Sequence, residues 1–241
     1  MAGPFIAVID YGIGNLRSAE KALRRAGADA RLVTQPADVA AAAGVVLPGV
    51  GHFGRCSEAL LRSGLWGATV DAVSDERPFL GICVGMQLLY ESSEEAPGAR
   101  GLGVFPGQVA LLPAGVRRPQ MQWNLLSVRP GSQLLAGLEQ GMWAYFVHSF
   151  AAPVGDETVA TCDYGGPVAA AVEAGHVWGA QFHPEKSSMA GLAALANFVQ
   201  ACSCDSPGLP GAHHLGGHLG GHLGGHLGGE PGVAATGGRE G

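Results

Sequence analysis

The sequence predicts an α/β fold whose front half carries a mostly parallel sheet and whose back half adds antiparallel strands. Continuous apolar runs at 5–9, 44–47 and 79–82 are typical of central parallel strands, which are buried on both faces. Stretches with helical spacing separate these runs as far as residue 90. From residue 102 onward, short strand-like segments alternate with Gly and Pro turns, which indicates an antiparallel meander.

The front half is predicted to alternate strands and helices. Leu16 to Ala26 has an apolar face at helical spacing, with Asn15 as its N-cap and Gly27 as the residue that ends it. The proline at the start of 36–43 favours a short helix there. The predicted order is strand 5–9, helix 16–26, strand 28–33, helix 36–43, strand 44–47, helices 52–62 and 65–73, strand 79–82 and helix 84–90.

The back half is predicted to be a meander closed by one helix. An acidic stretch at 91–98 is typical of a solvated surface turn. Residues 187–201 have an apolar face at helical spacing and form the predicted closing helix. The predicted strands between them are 109–112, 125–128, 143–150, 158–162, 168–173 and 176–182.

One domain is predicted over residues 1–204, followed by a low-complexity tail at 205–241. Gly dominates the tail, and His-Leu-Gly-Gly repeats through residue 229. The tail holds too few bulky apolar side chains to offset the entropy cost of ordering, so we expect disorder. Its evenly spaced His residues leave weak metal binding open, although Gly-Gly in every repeat opposes the helix that would align them.

Composition argues against several classes of function. The formal net charge is −6 at pH 7 and no basic stripe is present, so no nucleic-acid surface is expected. No apolar run is long enough to span a bilayer, and the N-terminus has no secretory pattern, so no membrane association is expected. The five scattered cysteines, an odd number, fit a reducing compartment, which predicts a cytoplasmic protein.

Cys83 stands at the junction of the predicted strand 79–82 and helix 84–90. The pattern Gly81-x-Cys83-x-Gly85 is the cysteine form of a nucleophile elbow, a strained strand-to-helix turn. Glycines suit it because a Cβ at either place would crowd the turn, and the start of a helix favours a reactive thiolate. A buried structural cysteine is the alternative, because free Cys is common in protein interiors. The pattern alone leaves both interpretations open.

Two glycine-rich loops follow predicted strands. Pro48-Gly49-Val50-Gly51 can expose backbone N–H groups, which would suit one donor of an oxyanion hole, or it can be an ordinary turn between a strand and a helix. Gly12-Ile13-Gly14 resembles the start of a dinucleotide fingerprint, but Arg17 stands where the third glycine would be. Nucleotide binding is therefore not expected.

His183-Pro184-Glu185 follows the last predicted strand and supplies what a thiol nucleophile requires. Such a nucleophile needs a base, because little of an unperturbed Cys is thiolate at neutral pH. Histidine is the usual base, and it works best when a third group fixes its tautomer. Glu185 lies two residues beyond His183 and can reach the imidazole. A lone His after a strand is most often structural, but the upstream Cys83 favours a catalytic role.

Together these motifs resemble those of the class I, triad-type glutamine amidotransferases. The residues that carry the resemblance are Gly81-x-Cys83-x-Gly85-x-Gln87 and His183-Pro184-Glu185, in that order. The segments 10–16, 48–54, 145–149 and 183–187 are similar to the glutaminase subunits of imidazole glycerol phosphate synthase, an enzyme of histidine biosynthesis. The resemblance spans residues 5–201 and implies a three-layer sandwich with the flavodoxin-like class I amidotransferase architecture.

The resemblance implies hydrolysis of glutamine to glutamate and ammonia, with no cofactor and no metal. The nucleophile would attack the side-chain amide, the histidine would move the proton, and the carboxylate would orient the imidazole. The implied site residues are Cys83, His183 and Glu185 as the catalytic triad, the N–H groups of Val50 and Val84 as oxyanion donors, and Gly51, Gln87 and Glu95 as ligands for the amino-acid end of the substrate.

The resemblance also implies a heterodimer with a (βα)8-barrel cyclase subunit, which uses the ammonia to make imidazole glycerol phosphate and AICAR from PRFAR. The glutaminase is expected to be nearly silent alone, and a rotation of the Gly49–Val50 peptide would explain activation. Gln122 stands where the family usually has glycine, which leaves the interface geometry open. The expected partner-facing residues are Asn15, Trp123, Asn124, Tyr145 and Lys186.

Three other functions remain as alternatives. One is another triad amidotransferase, serving anthranilate, aminodeoxychorismate or guanylate synthesis, against which the 10–16 and 183–187 segments weigh. A second is a cysteine hydrolase that needs no partner. The third is a non-catalytic interaction module that has kept the fold, against which the presence of Cys83, His183 and Glu185 weighs.

Overall fold

The front half of the chain forms alternating strands and helices, as predicted. The computed structural model describes residues 3–138 and 141–203. Its first elements are β1 (Phe5–Ile9), α1 (Leu16–Arg25), β2 (Asp29–Val33), α2 (Pro36–Ala40), β3 (Gly44–Gly49), α3 (Phe53–Arg62), α4 (Trp66–Ser74), β4 (Phe79–Cys83) and α5 (Val84–Gln87).

The back half consists mainly of strands and ends in the predicted helix. A 3₁₀ turn at Pro184–Lys186 precedes that helix. The elements are β5 (Tyr90–Ser93), β6 (Phe105–Leu111), β7 (Gln120–Val128), β8 (Trp143–His148), β9 (Phe150–Ala151), β10 (Thr158–Asp163), β11 (Pro167–Ala174), β12 (Val177–Ala180) and α6 (Ser188–Ala201).

The central sheet has nine strands in the order β2-β1-β3-β4-β12-β11-β10-β7-β8. β1 to β4 pair in parallel, and β12 joins β4 in parallel as well. β12, β11, β10, β7 and β8 then pair antiparallel to one another. A smaller sheet contains β5, β6 and β9. The predicted change from parallel to antiparallel strands is confirmed.

Helices cover both faces of the parallel part of the sheet. The chain moves from β1 outward to β2 and then back across β1 to β3. Because such crossovers are right-handed, the reversal places α1 and α2 on opposite faces. α1 packs against α6, and α2 packs against α4. The result is the three-layer α/β sandwich, and the buried strands β1, β3 and β4 lie at its centre.

The helix predicted over 84–90 is wrong in its length. α5 ends at Gln87, and Tyr90 begins β5 instead. Tyr90 is fully buried, pairs with Phe105 of β6, and has its ring centroid 5.4 Å from that of Phe105. This packing outweighs the local helical pattern. The same strand takes the first residues of the acidic stretch at 91–98, which is therefore only partly a surface turn.

Smaller boundary differences follow from the sheet register. The predicted strand 143–150 is divided at Ser149 into β8, which belongs to the large sheet, and β9, which belongs to the small one.

No helix within residues 3–138 and 141–203 combines the length and the apolar character needed to cross a bilayer. The tail predicted at 205–241 lies outside the described residues, so the domain boundary at 204 stays a prediction.

Candidate active site

Cys83 lies in a sharp turn at the carboxyl end of β4. Its φ is 56° and its ψ is −113°, a backbone conformation that non-glycine residues rarely adopt. A Cβ on Gly81 would lie 2.6 Å from the carbonyl oxygen of Gly85, and a Cβ on Gly85 would lie 1.8 Å from that of Leu47. The two glycines therefore let the turn fold tightly against β3. Strain of this kind clusters at functional sites.

The sheet order brings His183 to the same edge as Cys83. β12 pairs with β4 in parallel, with Ala180 opposite Ile82, so the two strands end side by side. The carboxyl ends of parallel strands are where α/β folds place their ligands. His183 follows β12 closely, and its N–H donates to the carbonyl of Tyr145 in β8 at 3.0 Å. The predicted nucleophile and base are therefore neighbours in space.

His183 and Glu185 form a buried hydrogen-bonded pair. His183 Nδ1 lies 2.8 Å from Oε1 of Glu185, and both side chains are 2% exposed. An ionised carboxylate only accepts, so Nδ1 carries the proton and Nε2 is left with a lone pair in the neutral ring. Within the described residues, His183 Nε2 has no hydrogen-bond partner. This nitrogen is free to receive a proton from the thiol of Cys83.

The electrostatics of this pair favour the charged form of His183, which is the form it takes once it has accepted the proton of Cys83. Burial alone lowers the pKa of His183, but the proximity of Cys83 and the hydrogen bond and charge of Glu185 outweigh it and raise the pKa to about 9. Burial alone raises the pKa of Glu185, but His183 and the amide of Asn15 outweigh it and leave the pKa below its usual value. An ionised Glu185 therefore stabilises an imidazolium at His183.

A small pocket opens beside Cys83. It is lined by Gly51, Cys83, Val84, Gln87, Glu95 and residues 147–150. All three predicted substrate ligands thus line one pocket with the predicted nucleophile. Gln87 donates through Nε2 to the carbonyl of Phe150 at 2.9 Å and to Oε1 of Gln181 at 3.0 Å. Glu95 accepts the N–H of Phe53 through Oε2 at 2.7 Å, which ties its loop to the start of α3.

The two predicted oxyanion donors differ in their placement. Val84 is the first residue of α5 and lines the pocket, and N–H groups at a helix start lack intrahelical acceptors. Val50 follows Gly49, which pairs with Cys83 across β3 and β4. Among the described residues the pocket lining includes Gly51 but not Val50. The carbonyl of Val50 accepts a hydrogen bond from Cys56 Sγ at 3.4 Å, which ties this residue to α3.

The profile of the family described as glutamine amidotransferase class-I matches residues 7–202. The chain belongs to the class-I glutamine amidotransferase family. The imidazole glycerol phosphate synthase subunit HisH of Deinococcus radiodurans is 50% identical over 201 residues, which cover 82% of this chain and 94% of that protein. HisH of Methanothermobacter thermautotrophicus is 47% identical over 196 residues, covering 81% and 98%. Within the family, the chain is one of the HisH-type amidotransferases.

Solved structures agree with this fold. A crystal structure titled glutamine amidotransferase has a TM-score of 0.66 at 20% identity and covers 82% of this chain and 99% of its own. PurLQS from Thermotoga maritima has a TM-score of 0.60 at 21% identity, with 83% and 97% covered. The predicted fold class and the predicted amidotransferase enzyme are both confirmed.

His148 is a pocket residue of this amidotransferase that the sequence reasoning assigned no role. It is buried in the pocket wall, and its Nδ1 lies 2.9 Å from the carbonyl of Phe150. Since a carbonyl only accepts, Nδ1 donates and Nε2 holds a lone pair with no partner among the described residues. Burial lowers the pKa of His148 to about 4, so the ring is neutral at pH 7. Ala144, Phe146 and His148 are the buried residues of β8, a pattern that only the folded strand shows.

Gln181 is a second residue that the sequence reasoning missed. It is fully buried after β12, and its Nε2 lies 3.8 Å from Cys83 Sγ while its Oε1 accepts from Gln87. Its position two residues before His183 offered no distinctive pattern. In residues 3–138 and 141–203, no group of three or more His, Cys, Asp or Glu side chains could hold a metal ion.

The predicted partner-facing residues form two groups. Trp123 and Tyr145 are cross-strand partners in β7 and β8 with ring centroids 5.9 Å apart, and Lys186 Nζ lies 5.9 Å from the Tyr145 ring centroid. Asn124 donates to the carbonyl of Asp163, on the other face of β7. Asn15 is the N-cap residue of α1, as predicted, but its side chain makes no capping hydrogen bond within the described part of the chain. It donates instead to Glu185.

Gln122 does not disturb the backbone of β7. It pairs with Phe146 in regular antiparallel register, between the pairs Met121–Val147 and Trp123–Tyr145. On the opposite side of the strand, an exposed apolar surface runs along β7 and β8. The residues of this apolar stripe are Met121, Trp123, Leu125 and Trp143.

Proposed function

We propose that this chain is the glutaminase subunit of an imidazole glycerol phosphate synthase and hydrolyses glutamine to glutamate and ammonia with the triad Cys83, His183 and Glu185. The observation that carries the proposal is the meeting of β4 and β12. It sets a cysteine in a strained turn beside a histidine that is hydrogen-bonded to a buried carboxylate. The identity to HisH subunits supports the same reaction and a role in histidine biosynthesis.

The reaction begins when Cys83 Sγ attacks the carboxamide carbon of glutamine and its proton passes to His183 Nε2. The carbonyl electron pair moves to oxygen and gives a tetrahedral oxyanion. This intermediate collapses to a thioester as the C–N bond breaks, and His183 Nε2 returns the proton to the leaving ammonia. His183 then deprotonates a water, which attacks the thioester, and glutamate leaves as the thiol is restored.

Two backbone N–H groups are proposed to stabilise the oxyanion. The N–H of Val84 follows the nucleophile directly and belongs to the unpaired start of α5. The N–H of Val50 would approach from the loop after β3. Removing one oxyanion donor typically costs about 100- to 1,000-fold in kcat. An oxyanion hole that is complete only in the complex would therefore explain a glutaminase that is silent alone.

The pocket supports binding of the amino-acid end of glutamine. Glu95 carries a carboxylate whose Oε2 is used by Phe53, and Oε1 remains to pair with the α-ammonium of the substrate. Gln87 is held in place by Phe150 and Gln181 and can contact the substrate only with its side-chain oxygen or backbone. Gly51 has a φ of +82°, which lets its backbone face the pocket without a side chain.

A (βα)8-barrel cyclase subunit is the proposed partner and receives the ammonia. The apolar stripe supports a docked protein, because Trp143 and Met121 are 56% and 61% exposed and a contiguous apolar surface of this kind marks an interaction site. Lys186 and Tyr145 lie between this stripe and His183. The partner would then make imidazole glycerol phosphate and AICAR from PRFAR.

Glutamate release from glutamine tests the proposal. We would measure it for the purified chain alone, with the barrel cyclase subunit, and with that subunit and its ribonucleotide ligand. Cys83→Ala is the active-site variant, and Cys202→Ala, a buried cysteine at the opposite end of β3, is the control. Ligand-dependent release that Cys83→Ala abolishes and Cys202→Ala retains is expected. Full activity without the partner would favour the stand-alone hydrolase, and silence of a folded complex would favour the non-catalytic module.

A further inference from the structure

Two buried side chains hold the loop that carries the proposed oxyanion donor. The hydroxyl of Tyr11 donates to the carbonyl of Pro48 at 2.7 Å, and the thiol of Cys56 donates to the carbonyl of Val50 at 3.4 Å. Tyr11 is 5% exposed and Cys56 is fully buried. Tyr11 comes from the loop after β1 and Cys56 from α3, so two separate elements converge on residues 48–50.

The two bonds fall on alternate peptide units. The carbonyl of Pro48 belongs to the Pro48–Gly49 peptide, and the carbonyl of Val50 belongs to the Val50–Gly51 peptide. Between them lies the Gly49–Val50 peptide, which carries the N–H of Val50. Tyr11 and Cys56 therefore bind the peptide before and the peptide after the one that would donate to the oxyanion.

The backbone itself restrains this loop on one side only. A Cβ on Gly49 would lie 2.7 Å from the backbone nitrogen of Gly85, so this residue packs directly against the turn that follows Cys83. Gly51, on the other side, has a φ of +82° that glycine permits, so on this side the bond from Cys56 restrains the loop. The loop is thus fixed against the nucleophile turn on one side and against two hydrogen-bond donors on the other.

We propose that Tyr11 and Cys56 are positioning residues that immobilise the two flanking peptides, so that the Gly49–Val50 peptide alone sets whether the Val50 N–H enters the oxyanion hole. This inference rests on the proposed glutaminase function. Both side chains act through the backbone of 48–51, and neither is proposed to touch the substrate. Their loss would let the whole loop move and would weaken the oxyanion contact without removing it.

Both groups keep their protons under ordinary conditions, as donors must. Burial raises the pKa of the Tyr11 phenol far above its usual value, and the neighbouring Cys56 adds to this effect. Burial likewise raises the pKa of the Cys56 thiol, against smaller opposing effects of hydrogen bonds with Tyr11 and the backbone of Val50. The two donors are therefore present across the pH range in which a glutaminase would be assayed.

The test compares donor-free and donor-retaining variants in the complex with the cyclase subunit and its ligand. Cys56→Ala and Tyr11→Phe remove one donor each, whereas Cys56→Ser retains one. We expect kcat for glutamate release to fall about tenfold in the donor-free variants, less than for loss of the oxyanion donor itself. The KM for glutamine should stay within about twofold, and Cys56→Ser should recover most of kcat.

Matched controls separate positioning from a general loss of structure. Cys202→Ala and Tyr90→Phe remove a buried thiol and a buried hydroxyl elsewhere, the latter bonded to Glu157, and should leave kcat unchanged. A second control measures the alkylation of Cys83 by iodoacetamide, with the modified residue located by mass spectrometry. This reaction forms no oxyanion, so it should proceed at the wild-type rate in the Tyr11 and Cys56 variants.

Two results would overturn the proposal. One is wild-type kcat in Cys56→Ala and Tyr11→Phe while Cys83→Ala is inactive. The other is an equal loss of kcat and of Cys83 alkylation, which would mean a distorted site. An inactive wild-type complex would instead contradict the proposed function itself, so the two failures are distinguishable.

Discussion

The side-chain amide of Asn15 donates a hydrogen bond to Oε1 of Glu185 at 3.0 Å, across 170 positions of sequence. The same oxygen accepts from His183 Nδ1, while Oε2 of Glu185 is buried with no partner among the described residues. Asn15 lies in the loop between β1 and α1, which was expected to face the partner subunit. This bond therefore joins that loop to the candidate triad.

Replacing Asn15 should weaken catalysis through Glu185. Hydrogen bonds to charged groups contribute about 1.5–3 kcal/mol, so we expect Asn15→Ala to lower kcat about tenfold. Because Asn15 helps to lower the pKa of Glu185, the acid limb of the kcat/KM profile should move to higher pH. Steady-state assays of the complex from about pH 3.5 to 9, which include the range in which a carboxyl group titrates, would measure both effects.

Asn197→Ala is the control for this change. Its amide donates to the carbonyls of Leu134 and Ala136, away from the pocket, and the variant should keep the wild-type profile. If the acid limb of Asn15→Ala stays at its wild-type pH, Asn15 does not influence the pKa of Glu185, and the prediction is wrong.

The raised pKa of His183 predicts a pH dependence of stability. The folded pKa is about 9 and the unfolded value about 6.5, so the contribution is complete below pH 6.5 and is lost as the pH rises through 9. The free energy of unfolding of the wild type, relative to His183→Gln, should therefore fall by about 3 kcal/mol over this range. Urea unfolding at pH 6, 7.5 and 9 would measure it, and parallel curves for the two proteins would refute it.

His148 should behave in the opposite way. With a pKa of about 4, its ring stays neutral as the pH falls through the unfolded value of about 6.5, so its contribution to stability decreases in that window. ¹⁵N NMR of the imidazole should show a proton on Nδ1, bonded to Phe150, and no titration above pH 5. A ring that titrates near pH 6.5 would contradict the burial of His148.

Gly85 should tolerate no side chain. Gly85→Ala would press a Cβ against the carbonyl of Leu47, and we expect a loss of about 3 kcal/mol of stability. Gly67, inside α4 with open space around it, is the matched control, and Gly67→Ala should gain about 0.5–1 kcal/mol. Thermal unfolding of both variants would measure the contrast. Equal effects would mean that the elbow can relax around a Cβ.

Much of the fold follows from local sequence. The apolar runs at 5–9, 44–47 and 79–82 became β1, β3 and β4 because parallel strands are buried on both faces and need no alternation. Gly27 ends α1 with a φ of +105°, as the pattern indicated. Where a side chain meets a distant partner, local pattern failed. Tyr90 lies in β5 and not in the predicted helix, because it packs against Phe105 and pairs with β6 in the small sheet.

The candidate site shows the same division. Cys83, His183 and Glu185 are marked by short motifs, and their roles were predicted from the family resemblance that these motifs carry. The roles of Asn15, His148 and Gln181 depend on hydrogen bonds between residues far apart in sequence or on the burial of one face of β8. No local pattern encodes such contacts, so these residues became visible only in the folded chain.

The most direct test of Cys83 as the nucleophile is to trap the covalent intermediate that this role requires. The complex with the cyclase subunit and its ligand would be mixed with ¹³C-labelled glutamine, quenched in acid during turnover, digested and examined by mass spectrometry. We expect a labelled glutamyl group on the peptide that contains Cys83. This label should be absent from Cys83→Ala and should accumulate when deacylation is slowed. Glutamate formation with the label on another residue, or with no label on any, would contradict Cys83 as the nucleophile.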